Sequence, residues 1–222
     1  MLGCVKPSQP PFTVLLDVDG TLIDSFPGIR AGFLHALDAV GWQRPDEEFI
    51  ARIPGPPMED TLASLGMDEA TRKRAFAAYM DYTQAGGWQR AQTFPGIAPL
   101  LAEWKELGFQ LVTATSKGEG FARAILERED LLRYIDFLGA AQEDGPRRHK
   151  ADVIAHVLDN VALDPSRAVM VGDRLHDIDG AAQFDLPTIA VSWGYGTPEE
   201  WDQAAYTAAS PAELNQIVRS IA

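Results

Sequence analysis

Apolar residues along this chain form continuous runs in some places and helical stripes in others. Continuous runs predict strands at residues 12–16, 109–114, 136–141, 167–171 and 188–192. Stripes at helical spacing predict helices at residues 119–130, 150–159, 177–184 and 211–220. This alternation is typical of an α/β fold, in which a Rossmann-like parallel sheet carries helices on both faces.

The stretch between the first two predicted strands is much longer than one crossover requires. A crossover between parallel strands usually holds one helix and loops of about 2–6 residues. Here several helical stripes follow one another, separated by Gly41, by the stiff turn at residues 53–57 and by Gly66. We therefore predict an inserted all-helical cap at residues 25–92. The α/β core would comprise residues 1–24 and 93–222.

The first predicted strand ends at Asp17-Val18-Asp19-Gly20-Thr21, where two carboxylates follow a buried apolar run. In an extended chain, residues i and i+2 point to the same side, so Asp17 and Asp19 are expected to share a face. Neighbouring carboxylates repel each other and usually hold a cation or share a proton. An Asp-Gly turn with a helix-capping aspartate explains this stretch equally well, so the decision depends on the rest of the chain.

Other strands of the predicted sheet end in complementary groups. Thr115-Ser116-Lys117 follow the second strand, and Gly172-Asp173 follow the fourth, with Asp177 four residues later. Lys150 opens a predicted helix. Ligands of open parallel sheets bind beyond the carboxyl ends of the strands, so we expect these groups to converge. Carboxylates suit Mg²⁺, and hydroxyls with a lysine suit phosphate oxygens, so the set indicates phosphoryl transfer.

Composition and net charge argue against some classes of binding partner and some compartments. A net charge of −13 argues against nucleic acid, because phosphate backbones require a basic face. With Cys4 as its single cysteine, the chain cannot form an internal disulfide, which fits a reducing compartment. No apolar run approaches the ~20 residues of a membrane span, and the first residues lack the apolar segment of a signal peptide. We expect a cytoplasmic monomer or homodimer whose partner is a small phosphorylated metabolite, not nucleic acid or membrane.

Four motifs, taken in order and spacing, resemble those of the haloacid dehalogenase superfamily. They are residues 17–21, Thr115, Lys150 and residues 172–177. The resemblance extends from residue 12 to about residue 196. The helical insertion after the first motif is similar to the cap of the phosphoglycolate phosphatase-like branch. One departure is Gly118, where that branch often has proline.

The resemblance implies a catalytic role for several residues. Asp17 would be the nucleophile, and Asp19 the general acid and base that protonates the leaving oxygen and then activates water. Thr115 would bind the transferred phosphate. Lys150 would neutralise that phosphate and orient Asp17.

The resemblance also implies a set of binding residues. Mg²⁺ would be held by Asp17, by Asp19 through its backbone carbonyl, and by Asp173. Asp177 would be a further ligand or a partner of metal-bound water or lysine. The residues expected to bind phosphate or substrate are Gly20, Thr21, Thr115, Ser116, Lys117, Lys150 and, from the cap, Arg52.

The predicted activity is Mg²⁺-dependent hydrolysis of a small phosphomonoester through a phosphoaspartate, with phosphoglycolate as the first substrate candidate. A 5'-nucleotidase and a β-phosphoglucomutase-like sugar phosphomutase are alternatives within the superfamily. A phospho-acceptor receiver-like module is an alternative from another class, although the helical insertion and Asp19 argue against it. His149 and His176 are expected at the surface, because the repeated histidine spacing of a metal site is absent.

Overall fold

The structure, a computed structural model, describes residues 10–142 and 145–222. Cys4 lies outside the described residues. The strands are β1 (Thr13–Leu16), β2 (Ile23–Asp24), β3 (Gln92–Thr93), β4 (Gln110–Gly118), β5 (Phe137–Ala141), β6 (Ala168–Gly172), β7 (Thr188–Val191) and β8 (Tyr206–Ala208). A six-stranded parallel sheet has the order β5-β4-β1-β6-β7-β8. The predicted fold class is thereby confirmed.

The helices of the described residues divide between the sheet and the predicted cap. They are α1 (Phe26–Val40), α2 (Glu47–Ala51), α3 (Met58–Ser64), α4 (Glu69–Gln84), α5 (Ile97–Glu106), α6 (Glu119–Arg128), α7 (Lys150–Asn160), α8 (Leu175–Ala182), α9 (Pro198–Trp201) and α10 (Pro211–Ile221). Short 3₁₀ turns occur at Gly87–Arg90, Leu132–Tyr134 and Pro165–Arg167. Within the described residues, the length and apolarity of every helix fall short of what a bilayer crossing requires.

β1 lies in the middle of the sheet, between β4 and β6, and both of its faces are buried. Successive side chains therefore point into different cores. Val14 and Leu16 belong to the cluster formed with α5, α6 and α10, which contains the fully buried Trp104. Leu15 belongs to the cluster on the other face, with Ile154 of α7. Burial on both faces explains why β1 reads as a continuous apolar run.

The insertion has an apolar core of its own, built from α1 to α4. Asp46 and Asp68 cap α2 and α4 by accepting backbone N–H groups, as their sequence context predicts. The separate cluster includes Phe33, Ala36, Leu37, Ile50, Met58, Leu62 and Ala75. The all-helical cap is therefore confirmed as an architectural element. Its division from the core at residues 25 and 92 stays a prediction.

The chain enters and leaves the cap through a feature that the apolar pattern did not predict. β2 and β3 pair antiparallel, with Ile23 opposite Thr93 and Asp24 opposite Gln92. Strands of two residues are too short to show an alternating period, so no apolar pattern predicts them. This pair holds the two connections side by side.

Strand β4 also differs from its predicted extent. It continues to Gly118, and its pairing with β5 shifts register between Thr115 and Gly118. Such an irregularity disrupts the ladder locally and can redirect side chains. Here it falls on Thr115, Ser116 and Lys117, which are three of the residues predicted to bind phosphate. Strand β8 and helix α9 were not predicted either, because each is very short.

A core substitution tests the packing of α5 against the sheet. Trp104 is fully buried, and its Nε1 donates to Asn215 Oδ1 at 2.9 Å. We expect Trp104→Ala to lower the free energy of unfolding by about 3–5 kcal/mol, because it leaves a large cavity. Urea unfolding followed by circular dichroism measures this. Leu107→Ala, at the exposed end of the same helix, should change it by no more than about 0.5 kcal/mol. Equal effects of the two substitutions would contradict this packing.

Candidate active site

The carboxyl ends of β1 and β6 bring two aspartates together at the middle of the sheet. Asp17 follows β1, and its backbone N–H donates to Val171 O at 2.9 Å, which extends the ladder to β6. Asp173 follows β6. Both carboxylates are buried, Asp173 completely. Along the chain, strands are added first on one side of β1 and then on the other side. The carboxyl end of β1 is therefore a topological switch point, where ligands of parallel sheets bind.

Lys150 is the cation in contact with this group. Lys150 is the first residue of α7, and its side chain is buried at the carboxyl ends of the strands. Its Nζ lies 2.8 Å from Asp17 Oδ1 and 2.7 Å from Asp177 Oδ1, and it donates to Ala114 O at 2.6 Å. One ammonium group thus orients two carboxylates from different elements.

Asp177 lies in the first turn of α8 and is held by backbone groups. Its Oδ2 accepts the N–H of Asp173 at 3.1 Å and that of Arg174 at 3.0 Å. Gly172 permits this approach, since a Cβ there would lie 2.2 Å from the Asp177 carboxyl carbon. The motif at residues 172–177 is therefore one turn that folds back on the end of β6.

Three of the predicted metal ligands meet in space. Asp17, Asp173 and Asp177 each offer an oxygen, and these oxygens lie within 4.8 Å of one another. Asp17 Oδ1 and Asp177 Oδ1 are buried and have no regular hydrogen bond, only the ion pair with Lys150. The three carboxylates can carry more negative charge than the single ammonium group of Lys150 offsets. Buried hard oxygen donors with uncompensated charge fit a divalent cation such as Mg²⁺.

The side chain of Asp19 is directed away from this cluster. Its Oδ2 lies 2.7 Å from Lys117 Nζ, and its Oδ1 accepts the hydroxyl of Ser25, at the entrance to the cap. Asp19 is therefore not a carboxylate ligand of the cluster, and its predicted contribution through the backbone carbonyl stays a prediction. The two aspartates of the first motif face different surroundings, as a division of roles requires.

Thr115, Ser116 and Lys117 occupy the irregular end of β4. Thr115 is buried, and its Oγ1 accepts the N–H of Lys117 at 3.2 Å. Ser116 and Lys117 line the cavity between core and cap. Phosphate binding by these residues stays a prediction.

The turn at Gly20 and Thr21 serves the carboxylate cluster. Gly20 has a φ of +81°, and a Cβ there would lie 2.3 Å from Asp173 Oδ2, so glycine is required on both counts. The Thr21 hydroxyl is buried, 3.5 Å from Asp173 Oδ1. The structure thus directs Thr21 toward Asp173, where it supports a carboxylate.

A cavity of 370 Å³ separates the cap from the core and opens onto Asp19. On the core side it is bounded by the end of β4 and by α6, and on the cap side by α4 and by the turn at residues 53–57. Arg148 and Glu59 form an ion pair across it. The predicted substrate residue Arg52 does not line this cavity. Its side chain is exposed and pairs with Glu48 at 2.9 Å.

Arg174, which the sequence did not single out, joins the core to the cap. Its guanidinium is nearly buried and donates to the carbonyls of Arg52 and Pro54 and to Glu200 of α9. The arginine inside the last motif was a visible signal, but its partners in the cap are more than a hundred residues away in the sequence. Only the folded chain shows that it joins the motif to the cap.

Tyr195 and Trp201 are further site residues that the sequence analysis did not assign. The Tyr195 N–H donates to Asp173 Oδ2 at 2.6 Å, and its hydroxyl donates to Asp24 at 2.8 Å. The same hydroxyl accepts the N–H of Ser25 at 2.9 Å. Trp201 Nε1 donates to the Asp173 carbonyl at 2.9 Å. Thr197-Pro198, a capping threonine followed by proline, was the sequence signal for α9.

Burial and like charge set the protonation of the cluster. Burial raises the pKa of Asp17, Lys150 lowers it and Asp177 raises it again, for a value of about 6. Burial and its two acidic neighbours also raise the pKa of Asp173 well above its ordinary value. Burial lowers the pKa of Lys150, but Asp17 and Asp177 outweigh this effect and raise it overall. A cation that binds here must therefore displace protons.

Comparison with known proteins agrees with this geometry. The sequence profile of haloacid dehalogenase-like hydrolases matches residues 14–191. The chain belongs to this family. The crystal structure of a predicted phosphatase from Clostridium acetobutylicum has a TM-score of 0.89 at 34% identity, covering 96% of this chain and 100% of that one. The predicted superfamily membership is confirmed, and so is the prediction of a phosphatase-type hydrolase.

Two relatives with different activities are similar to this chain over most of its length. The tyrosine-protein kinase PtkA of Mycobacterium tuberculosis is 41% identical over 207 residues, which cover 93% of this chain and 71% of PtkA. A 5'-nucleotidase of Pseudomonas aeruginosa is 33% identical over 210 residues, which cover 93% of this chain and 95% of that protein. Both names describe proteins that act on phosphate groups.

Metal binding should depend on pH because of Asp17. Its pKa is raised from 3.8 to about 6, so the metal-free protein should lose stability as pH rises through this interval. Mg²⁺ needs the ionised carboxylates of Asp17 and Asp173, so its affinity should fall by at least about tenfold per pH unit below about pH 6. Calorimetric titration of Mg²⁺ at pH 5 and pH 7.5 measures this. Asp179→Asn, an exposed change on α8, should keep the dependence. A Mg²⁺ affinity that is independent of pH would contradict the prediction.

Arg174 and Arg52 form a matched pair for testing the junction between core and cap. We expect Arg174→Ala to lower the free energy of unfolding by about 3 kcal/mol, because it leaves Glu200 and two carbonyls without their donor. Arg52→Ala removes only an exposed pair and should cost no more than about 0.5 kcal/mol. Chemical unfolding gives both values. A larger loss for Arg52→Ala would show that the contact has been misassigned.

Proposed function

We propose that this protein hydrolyses a small phosphomonoester with Mg²⁺ as cofactor, through a phosphoaspartate at Asp17. The supporting observation is the division between the two aspartates of the first motif. Asp17 lies in the buried carboxylate cluster beside Lys150, and Asp19 faces the cavity between core and cap. A nucleophile and a separate proton donor are the two groups that this reaction requires.

In the first step, a carboxylate oxygen of Asp17 attacks phosphorus. A bond forms between that oxygen and phosphorus, and the bond from phosphorus to the leaving oxygen breaks. Asp19, in its protonated form, gives its proton to the leaving oxygen, and the alcohol departs. Lys150, held by Asp177 and by the Ala114 carbonyl, orients Asp17 for the attack.

In the second step, water attacks the phosphorus of the phosphoaspartate. Asp19, now ionised, takes a proton from the water, the bond between Asp17 and phosphorus breaks, and inorganic phosphate leaves. Asp17 is again a carboxylate and Asp19 again carries a proton. The contacts of Asp19 with Ser25 and Lys117 hold it at the cavity, where both the leaving oxygen and the water must lie.

The residues that would hold Mg²⁺ are Asp17, Asp173, Asp177 and the backbone carbonyl of Asp19. When bound, the ion would offset the negative charge of the phosphoryl group as it is transferred. Thr21, Tyr195 and Trp201 keep Asp173 in place through its carboxylate and its carbonyl. Thr115 and Ser116 would donate to the phosphate oxygens that the metal leaves free.

Hydrolysis fits this site better than the kinase activity named for the relative PtkA. A kinase must hold the phosphates of a nucleoside triphosphate, which usually requires several free cationic groups. Among the described residues, the cationic side chains lining the cavity are Lys117 and Arg148, and each is paired with a carboxylate. A receiver-like module is disfavoured by the cap, which separates the cluster from any protein partner.

We further propose that the substrate is a free metabolite and that the protein acts in the cytoplasm, as a monomer or homodimer. The enclosed position of the cavity between cap and core supports a small substrate. The acidic net charge of −13 supports the absence of a nucleic acid partner.

Substitution of the two aspartates tests the mechanism. We expect Asp17→Asn to lower kcat by at least about 10³-fold, because the nucleophile is lost, and Asp19→Asn by about 10²-fold to 10⁴-fold, because proton transfer is lost. Release of phosphate from an aryl phosphate with Mg²⁺ measures both. Asp179→Asn is the matched control on the exposed face of α8 and should retain full activity. Full activity of Asp17→Asn, or activity without any divalent cation, would refute the proposed function.

A further inference from the structure

The lining of the cavity between core and cap indicates which kind of leaving group the protein accepts. The catalytic residues do not indicate this. We propose, resting on the proposed function, that this cavity selects phosphomonoesters whose leaving group contains a neutral, flat ring. A nucleoside or a free aromatic alcohol would satisfy this chemistry. A short acidic leaving group such as glycolate would not.

The shape and lining of the cavity support a ring. Phe76 and Tyr79 of α4 stack with their centroids 6.4 Å apart on the cap side. Trp88 lines it from the turn after α4, with the Arg128 guanidinium 5.5 Å from its ring centroid. Phe121 of α6 lines it from the core side. Aromatic side chains contributed by both the core and the cap provide stacking surfaces for a flat group.

The charges of the cavity support a neutral leaving group. Among the residues that the structure describes, its cationic side chains are Lys117 and Arg148, and its carboxylates are Asp19 and Glu59. They pair one to one, Lys117 with Asp19 at 2.7 Å and Arg148 with Glu59. A second negative charge on the leaving group would be buried beside two carboxylates, with both of these cations already engaged, and burial of such a charge is costly.

The size of the cavity supports the same conclusion. At 370 Å³ it lies within the range of pockets that enclose a whole small molecule. A two-carbon leaving group would occupy only a small part of this volume, so it would leave apolar lining in contact with water. A larger leaving group buries more of that lining and gains more binding energy from it.

Four esters with similar alkyl leaving oxygens separate these possibilities. They are uridine 5'-monophosphate, benzyl phosphate, ethyl phosphate and phosphoglycolate. We expect kcat/KM for at least one ring ester to exceed that for both small esters by about tenfold or more. The two ring esters distinguish a nucleoside from a simple aromatic alcohol. Equal or higher kcat/KM for ethyl phosphate or phosphoglycolate than for both ring esters would overturn the proposal.

Variants of Phe121 separate specificity from general damage. We expect Phe121→Ala to lower kcat/KM for the preferred ring ester about tenfold and to change that for ethyl phosphate no more than about twofold. Tyr206→Ala, an exposed aromatic change on β8, should alter neither. Phe121→Arg adds a cation and should raise the ratio of phosphoglycolate to ring-ester kcat/KM more than about tenfold. An equal loss for all four esters in Phe121→Ala would indicate a structural role and overturn the proposal.

A binding measurement keeps this inference distinct from the proposed function. Absence of turnover with every ester would refute the phosphatase, without deciding what the cavity binds. Calorimetry on Asp17→Asn with Mg²⁺ decides that point without catalysis. Tighter binding of benzyl phosphate than of ethyl phosphate by about tenfold supports the ring preference. Equal affinities overturn it.

Discussion

Burial of three carboxylates at one edge of the sheet is the constraint on which the rest of the site depends. Asp17, Asp173 and Asp177 come from three different points of the chain and meet within 4.8 Å. Their mutual repulsion is opposed by Lys150, which needs α7 to begin directly beneath them. Glycine at positions 20 and 172 permits the close approach, because any side chain there would overlap a carboxylate. The excess charge that remains is what makes the cluster suitable for a divalent cation.

The groups that hold this cluster also hold the cap. Tyr195 binds the Asp173 carboxylate through its backbone and the start of the cap through its hydroxyl. Arg174, next to Asp173, donates to the carbonyls of Arg52 and Pro54 in the cap. Core and cap therefore contact each other through the residues adjacent to the chemistry. A change in the position of the cap would therefore alter the contacts of the carboxylates. Access to the cavity and the geometry of the reacting groups are linked in this way.

The sequence predicted the elements whose apolar pattern is long enough to show a period. The central strands, the helices that flank them and the helical insertion all follow from such patterns, since β1 and α7 bury their apolar residues as predicted. The pattern missed β2, β3, β8 and α9, which span two to four residues each. It also predicted too short a β4, because polar residues at 115–117 resemble a loop although the backbone stays extended.

By itself, the sequence determined which side chains lie at the carboxyl ends of the parallel strands. They are Asp17, Asp19, Thr115, Lys150, Asp173 and Asp177. Parallel strands deliver their following residues to one edge, so the motifs and their order are sufficient for that conclusion. Only the tertiary structure decided where each side chain points. It turned Asp19 toward Lys117 and the cavity, turned Thr21 toward Asp173, placed the Arg52 side chain outside the cavity and brought Arg174 to the cap. These choices depend on contacts between residues far apart in the chain, which no local pattern records.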